Sequence, residues 1–384
     1  MKILDLKGSA YERGVKQGKE MREDYINMLN EFFSSEMWKE NKPGGLPDSV
    51  IKLAMRILGV SMTKKSVKTA APAQLDRVEG LAEGLGINRA FCWGLQFMEI
   101  LFCEAGKSLA APEMGCTQLH ATPASTADGK PLLARNYDFP NMLKPYQLVR
   151  RDTPSEAGRL ATISLTQAPL AGTHQGMNEA GLAIAANNAR LWKGPDFRYK
   201  GVPYMLIMME LLETCRTVAE AADKMINFPA RANTGFFGMM DESGDCCVVE
   251  FTSSRAAVRR PDERGVIAQT NHYLNMKDAN LPDGTYWTVK GMEGLEYAES
   301  TLKRYEAAYR LMSENAGKIT VDTLKSILRD HSAGNGSGTD CTVCCHGLTG
   351  GTLASTIFDI KERTAWVADG HPCESEYVRI PLKG

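Results

Sequence analysis

Apolar residues change their period near Ala110-Ala111-Pro112, and this change limits the folds open to the chain. Before it, Tyr11, Val15, Gly18, Met21, Tyr25, Met28, Leu29 and Phe32 recur at helical spacing. They follow a capping box, Ser9-Ala10-Tyr11-Glu12, so residues 9 to 33 are expected to form an amphipathic helix. A break at Pro43 to Gly45 leads to helical runs at Pro47 to Leu58, Pro72 to Leu85 and Ala90 to Phe102, which makes the whole N-terminal segment helical.

After the change come short runs of Val, Ile, Thr and Phe between turn residues, the pattern of strands and hairpins. Cys116 to Ala121 and Pro131 to Asn136 flank Asp128-Gly129 as a hairpin. Further strands are expected at Tyr146 to Arg151, Arg159 to Leu165, Gly181 to Asn187, Gly235 to Asp241, Cys246 to Thr252, Ala256 to Arg260 and Gly265 to Thr270. Helices at Pro203 to Thr214 and Thr217 to Asn227 interrupt them, and two more follow at Glu296 to Met312 and Val321 to Arg329. A loop at Ser332 to Gly338 precedes strands at Thr342 to His346, Leu353 to Asp359 and Thr364 to Ala368. Blocks of strands between helix pairs imply an α+β fold of antiparallel sheets covered by helices.

Charge is nearly balanced, 45 basic against 46 acidic residues, which leaves no electrostatic footprint for nucleic acid or an anionic membrane. Small-molecule chemistry is the better expectation. No apolar run approaches the roughly 20 residues of a spanning helix, and the start lacks the apolar core of a signal peptide, so a cytoplasmic protein is expected. The ten cysteines are scattered rather than spaced as a disulfide framework.

Among them Cys116 stands apart. It follows glycine, whose carbonyl is the least hindered to attack by a neighbouring thiol, and it opens a strand. If the Gly115-Cys116 bond were cut, the new α-amino group, with a pKa of roughly 7.7 to 8.0, would lie within reach of its own thiol as a base. The Cys341-x-x-Cys344-Cys345-His346 cluster suggests zinc, but no second ligand pair stands at finger spacing, and strand alternation would send neighbours to opposite faces. Buried strand cysteines are expected there, with no metal and no cofactor. His120 falls on the same strand face as Cys116, and neither it, His174 nor His272 is given a role.

Gly115-Cys116-Thr117, Arg135-x-x-Asp138-Phe139 and Thr270-Asn271-His272 resemble the N-terminal-nucleophile hydrolases of the acyl-coenzyme A:isopenicillin N acyltransferase-like family. So do Gly8-Ser9-Ala10-Tyr11-Glu12-Arg13-Gly14 near the start and Asp340 to His346 with Thr356-Ile357-Phe358-Asp359 near the end. A more distant similarity, through Arg-x-x-Asp and Gly176 to Leu182 with Asn187-Asn188, is to the choloylglycine hydrolases. The resemblance implies a four-layer αββα sandwich. Residues 1–115 would form a helical segment released by self-cleavage, and residues 116–384 the catalytic domain.

By the same resemblance Cys116 is the nucleophile, and Asp138 orients the new α-amino group. Arg135 sits beside the thiol as in the bile-acid relatives, where penicillin acyltransferase has glutamine. Asn271 and Asn188 stabilise the oxyanion. Arg304 is the family's late arginine, with Lys303 as the near alternative. The implied activity is self-processing followed by cleavage or transfer of an acyl group through a Cys116 acyl-enzyme. Its partners would be a small acyl amide or acyl-coenzyme A and the chain's own N-terminal fragment; self-association stays open. The alternative is a non-catalytic small-molecule-binding protein that keeps the fold, against which the joint presence of Cys116, Asp138 and Asn271 weighs.

Overall fold

The computed structural model describes residues 1–35, 38–39, 42, 45–105, 115–189, 196–282, 284–285, 296, 298–347 and 350–383. Most of the Pro43 to Gly45 break and the Ala110 to Pro112 boundary lie outside these residues. Strand alternation builds three parallel cores. In β7 (Ala183–Asn188), β8 (Gly235–Met240) and β9 (Cys246–Phe251), one face places Ile184, Phe237 and Val249 against helices. The other face turns Ala185, Phe236 and Val248 toward a second sheet. Within that second sheet, Leu133 of β3 (Leu132–Pro140) points to the first sheet, whereas Leu132 and Ala134 meet helices α9 (Glu299–Glu314) and α10 (Val321–Leu328). The layers are therefore α, β, β, α, as the sequence led us to expect.

The first sheet has eight strands in the order β1 (Lys2–Gly8), β4 (Gln147–Pro154), β5 (Thr162–Gln167), β6 (Gln175–Asn178), β7, β8, β9 and β10 (Ala256–Arg259). The second has six, β11 (Val266–Gln269), β2 (Cys116–Ala121), β3, β12 (Gly350–Asp359), β13 (Thr364–Asp369) and β14 (Val378–Pro381). All pairings are antiparallel except β1 with β4. The Cys116 hairpin thus occupies the middle of the second sheet, where both neighbours hold its backbone.

Two expectations need correction. The N-terminal segment is not wholly helical, because β1 pairs with β4 and buries Leu4 and Leu6 while Ile3 and Asp5 face out. Thr342 to His346 is a run of turns rather than a strand, its backbone being drawn into local bonds such as Thr342 Oγ1 to Cys344 O. The first helical run also divides at Met21 into α1 (Ala10–Glu20) and α2 (Arg22–Ser34).

The described residues among 1–105 give β1 to the first sheet and helices to its outer layer. Helix α1 packs so tightly on α5 (Pro72–Leu85) that a Cβ at Gly80 would lie 2.1 Å from Tyr11 O. Beneath them Arg13 and Arg77 reach the fully buried Asp152 of β4 and Glu213 of α7 (Tyr204–Thr214), with Arg77 2.7 Å from Asp152 and Arg13 2.5 Å from Glu213. Removing either guanidinium would strand a buried carboxylate. Helices α3 (Asp48–Gly59), α4 (Lys65–Ala70) and α6 (Arg89–Ala105) complete the layer. Among the described residues no helix is long and apolar enough to cross a membrane.

Candidate active site

Antiparallel pairing places Cys116 opposite Tyr137, so Cys116, Arg135 and Tyr137 share the face of the second sheet that looks toward the first. Arg135 donates from Nη2 to Cys116 Sγ at 2.9 Å and from Nε to Asn187 Oδ1 at 3.3 Å. Its guanidinium lies over the Tyr137 ring at 4.8 Å, and its Nη1 is buried with no hydrogen-bond partner among the described residues. Burial pushes the Cys116 thiol above the ordinary cysteine range, and Arg135 opposes that rise.

The Gly115-Cys116 peptide is held from several sides. Gly115 O accepts from the Asp138 backbone N–H at 3.2 Å, which extends the β2–β3 ladder by one bond. Cys116 N–H donates to Asn271 Oδ1 at 3.0 Å, and Cys116 O accepts from Arg304 Nη1 at 2.8 Å and Asn187 Nδ2 at 3.1 Å. Arg304, fully buried on α9, also donates from Nη2 to Asn271 Oδ1 at 2.8 Å. Lys303 instead pairs with Glu299 on the surface, so α9 presents Arg304 to this site.

Asp138 Oδ1 accepts from Thr352 Oγ1 at 2.7 Å. A register shift makes this contact: Thr352 pairs with Asp138 and Ala354 with Tyr137, leaving Leu353 outside the β3–β12 ladder. Thr352 had no signal in the sequence reading, because the bulge depends on how two distant strands meet.

The two asparagines meet each other. Asn271 Nδ2 donates to Asn188 O at 2.8 Å, and Asn188 Oδ1 accepts from the Tyr204 hydroxyl. Asn187, passed over in the sequence, is the more deeply engaged: Nδ2 reaches Cys116 O, Gln269 O and Thr270 O, while Oδ1 accepts from Gln118 and Arg135. Parity along β7 was the available clue, since Ala183 and Ala185 face the second sheet and Asn187 must follow them. His120 shares the face of Cys116 but contacts Cys246 and Gln118, and burial drives its pKa down to about 3.

An apolar cavity of about 350 Å³ lies over Cys116, Arg135 and Asp138. Its far wall comes from the N-terminal helices, with Phe32 of α2, Met55 of α3, and Leu95 and Met98 of α6. Tyr137 and His174, whose ring centroids stand 4.6 Å apart, close one side.

The family model of acyl-coenzyme A:6-aminopenicillanic acid acyl-transferase matches residues 125–374, a range that takes in Arg135, Asp138, Asn271 and Arg304 and begins after Cys116. The chain belongs to that acyl-transferase family. Membership of this family makes the chain an enzyme of the acyl-transfer class. A variant of the conjugated bile acid hydrolase from Clostridium perfringens is similar at 14% identity and a TM-score of 0.48, covering 70% of this chain and 94% of that one. Penicillin V acylase from Agrobacterium tumefaciens is similar at 18% identity and 0.42, covering 66% and 83%. The Caenorhabditis elegans ortholog of N-acylethanolamine-hydrolyzing acid amidase is similar at 14% and 0.42, covering 64% and 93%. A comparison with curated proteins gives no match.

Proposed function

We propose that the chain is a self-processing cysteine amidohydrolase or acyltransferase that carries an apolar acyl group on Cys116. In processing, Sγ bonds to the Gly115 carbonyl carbon, the C–N bond to Cys116 breaks, and the thiol proton passes to the departing nitrogen. Water then splits the thioester, which leaves a Gly115 carboxylate and a free Cys116 thiol with its own α-amino group. The Asp138 backbone N–H, already on Gly115 O, is suited to the oxyanion of the first step.

In turnover the α-amino group takes the thiol proton and returns it to the leaving amine or coenzyme A thiol. Asp138, braced by Thr352, holds that amino group in line. Arg135 steadies the thiolate and offers its unused Nη1 to the substrate. The Asn271 amide turns from Asn188 O to the developing oxyanion. Water as acceptor gives hydrolysis, whereas an amine gives transfer.

The observation that carries this reading is the 2.9 Å contact from Arg135 to Cys116 Sγ on the floor of an apolar cavity, beside a held Gly115 carbonyl. That cavity favours an aliphatic or aromatic acyl group, presented as an amide or a coenzyme A thioester. Helices α2, α3 and α6 supply its wall, so the cleaved N-terminal fragment is read as a retained subunit rather than a discarded one. Intact-mass analysis of wild type beside Cys116→Ala, before and after incubation with acyl amides and acyl-coenzyme A of graded chain length, tests it. Two fragments and an acyl adduct on the Cys116-bearing one are expected. An intact wild-type chain that still turns over substrate would sink the processing step.

A further inference from the structure

Four potential metal ligands that sequence order keeps apart converge behind the active site. His331 follows α10, Cys344 and His346 lie on the turns before β12, and Cys373 sits between β13 and β14. Their donor atoms all lie within 4.8 Å of one another. Cys344 Sγ is 3.6 Å from Cys373 Sγ, and His346 Nε2 is 3.3 Å from each sulfur. A tetrahedral zinc ion with bonds of about 2.3 Å to sulfur and about 2.0 Å to nitrogen has donor-to-donor edges of about 3.3 to 3.8 Å. The three measured edges fall in that range.

The surroundings fix these ligands in place. His331 Nε2 is buried and has no hydrogen-bond partner among the described residues. The His346 ring is stacked on His371 with centroids 3.9 Å apart, and Gly338 leaves room for it, since a Cβ there would lie 2.3 Å from His346 Cδ2. Arg329 secures the Cys373 turn by donating to Pro372 O at 2.7 Å and Ser375 O at 3.2 Å. Cys344 N–H donates to Asp330 O at 3.1 Å, which ties one ligand to the segment that bears another.

We propose that His331, Cys344, His346 and Cys373 bind one zinc ion as a closed structural site. Two thiolates and two neutral imidazoles balance the charge of Zn²⁺, and the mixed nitrogen and sulfur set in a tetrahedron suits zinc over magnesium or calcium. Binding releases the two thiol protons. With four protein ligands, no position is left for substrate or water, so the ion acts as a staple.

What it staples bears on catalysis. Cys345, between two ligands, grips Thr352 twice: its N–H donates to Thr352 Oγ1 at 3.1 Å, and its carbonyl accepts from Thr352 N–H at 3.0 Å. Thr352 in turn holds Asp138. The ion therefore fixes the segment that aims Asp138, a consequence that rests on the proposed role of Asp138, whereas the metal site itself does not.

The test uses the full chain purified under reducing conditions without chelator. Elemental analysis is expected to find about one zinc per chain, in wild type and in Cys116→Ala alike. Chelation and refilling with Co²⁺ should give thiolate-to-cobalt charge-transfer bands and the visible absorption of a tetrahedral ion. Cys373→Ser and His331→Ala, on the two ligands outside the Cys344 to His346 run, should each weaken binding about tenfold or more, while Cys341→Ser leaves it unchanged. Circular dichroism on each variant separates loss of metal from loss of fold. Neither zinc nor cobalt bands in folded wild type, undiminished metal in Cys373→Ser, or a Cys344–Cys373 disulfide in freshly isolated protein would overturn the site.

Discussion

The Arg304 guanidinium occupies the space that any side chain at position 115 would need: a Cβ there would lie 2.5 Å from Arg304 Nη2. Because that same Nη2 is bonded to Asn271 and its neighbour Nη1 to Cys116 O, the guanidinium has no free direction in which to yield. If Cys116 attacks the Gly115 carbonyl as proposed, Gly115→Val should displace that peptide and slow self-cleavage by about 10²-fold, the usual cost of a shift near 1 Å in a reacting pair. Time-resolved intact mass after expression is the measurement, and processing at the wild-type rate would refute the geometry.

Thr352→Val keeps the shape of the side chain while deleting the hydroxyl that reaches Asp138. A hydrogen bond to a charged group contributes about 1.5 to 3 kcal/mol, so kcat should fall about 10- to 100-fold with KM little changed. Thr352→Ser should restore most of the rate. Equal losses in the valine and serine variants would assign Thr352 to packing instead.

After cleavage the two chains should co-elute, since β1 remains paired with β4 and Arg13 and Arg77 remain buried against Asp152 and Glu213. Burial alone would raise the Asp152 pKa, but Arg77, Arg150 and Arg13 outweigh it and hold the carboxyl below its usual range. Its contribution is thus complete above the ordinary aspartate pKa of about 3.9 and is lost as pH falls through the lower folded value. Gel filtration should show one species at pH 7 and separation only in stronger acid than about pH 4. Arg77→Leu, which leaves Asp152 short of a partner, should cost about 3 to 5 kcal/mol in denaturant melts.

Leu95→Trp would intrude on the cavity from its α6 wall, where the tail of the proposed acyl group would lie. Activity on long acyl chains should then fall about 10- to 200-fold in kcat/KM, whereas short acyl chains retain theirs. A uniform loss across chain lengths would mean that the cavity does not hold the acyl group.

Local pattern carried much of the architecture. Alternation and turn residues located β2, β8, β9, β10, β11 and β13 within a residue and β3, β4, β5 and β12 with one end three or four residues off, and helical spacing with caps located the helices other than α4, because both periods are properties of a single segment. Cys116 stood out by following glycine at the head of a strand, whereas Arg135 and Asp138 were singled out by the family resemblance; the structure sets all three on one hairpin. Strands β6 and β14 were not read from the sequence: Met177 is the one large apolar residue of β6, and Val378 and Ile380 of β14 stand among Glu376, Arg379 and Lys383. In β1 the Leu4 and Leu6 alternation sat among charged residues that suit a sheet edge.

By itself the sequence determined which residue types were available and which face of each strand they could take. Tertiary structure alone decided which of those faces meet. It chose Asn187 over Asn188 for the Cys116 carbonyl, aimed Arg304 and not Lys303 inward, and bulged β12 at Leu353 so that Thr352 reaches Asp138. It also brought Cys373 to Cys344 across 29 residues, and so supplied the second ligand pair that spacing alone had denied. The physical reason is common to all of these: each contact joins segments far apart in the chain, and its distance is set by how packed sheets and helices settle against one another.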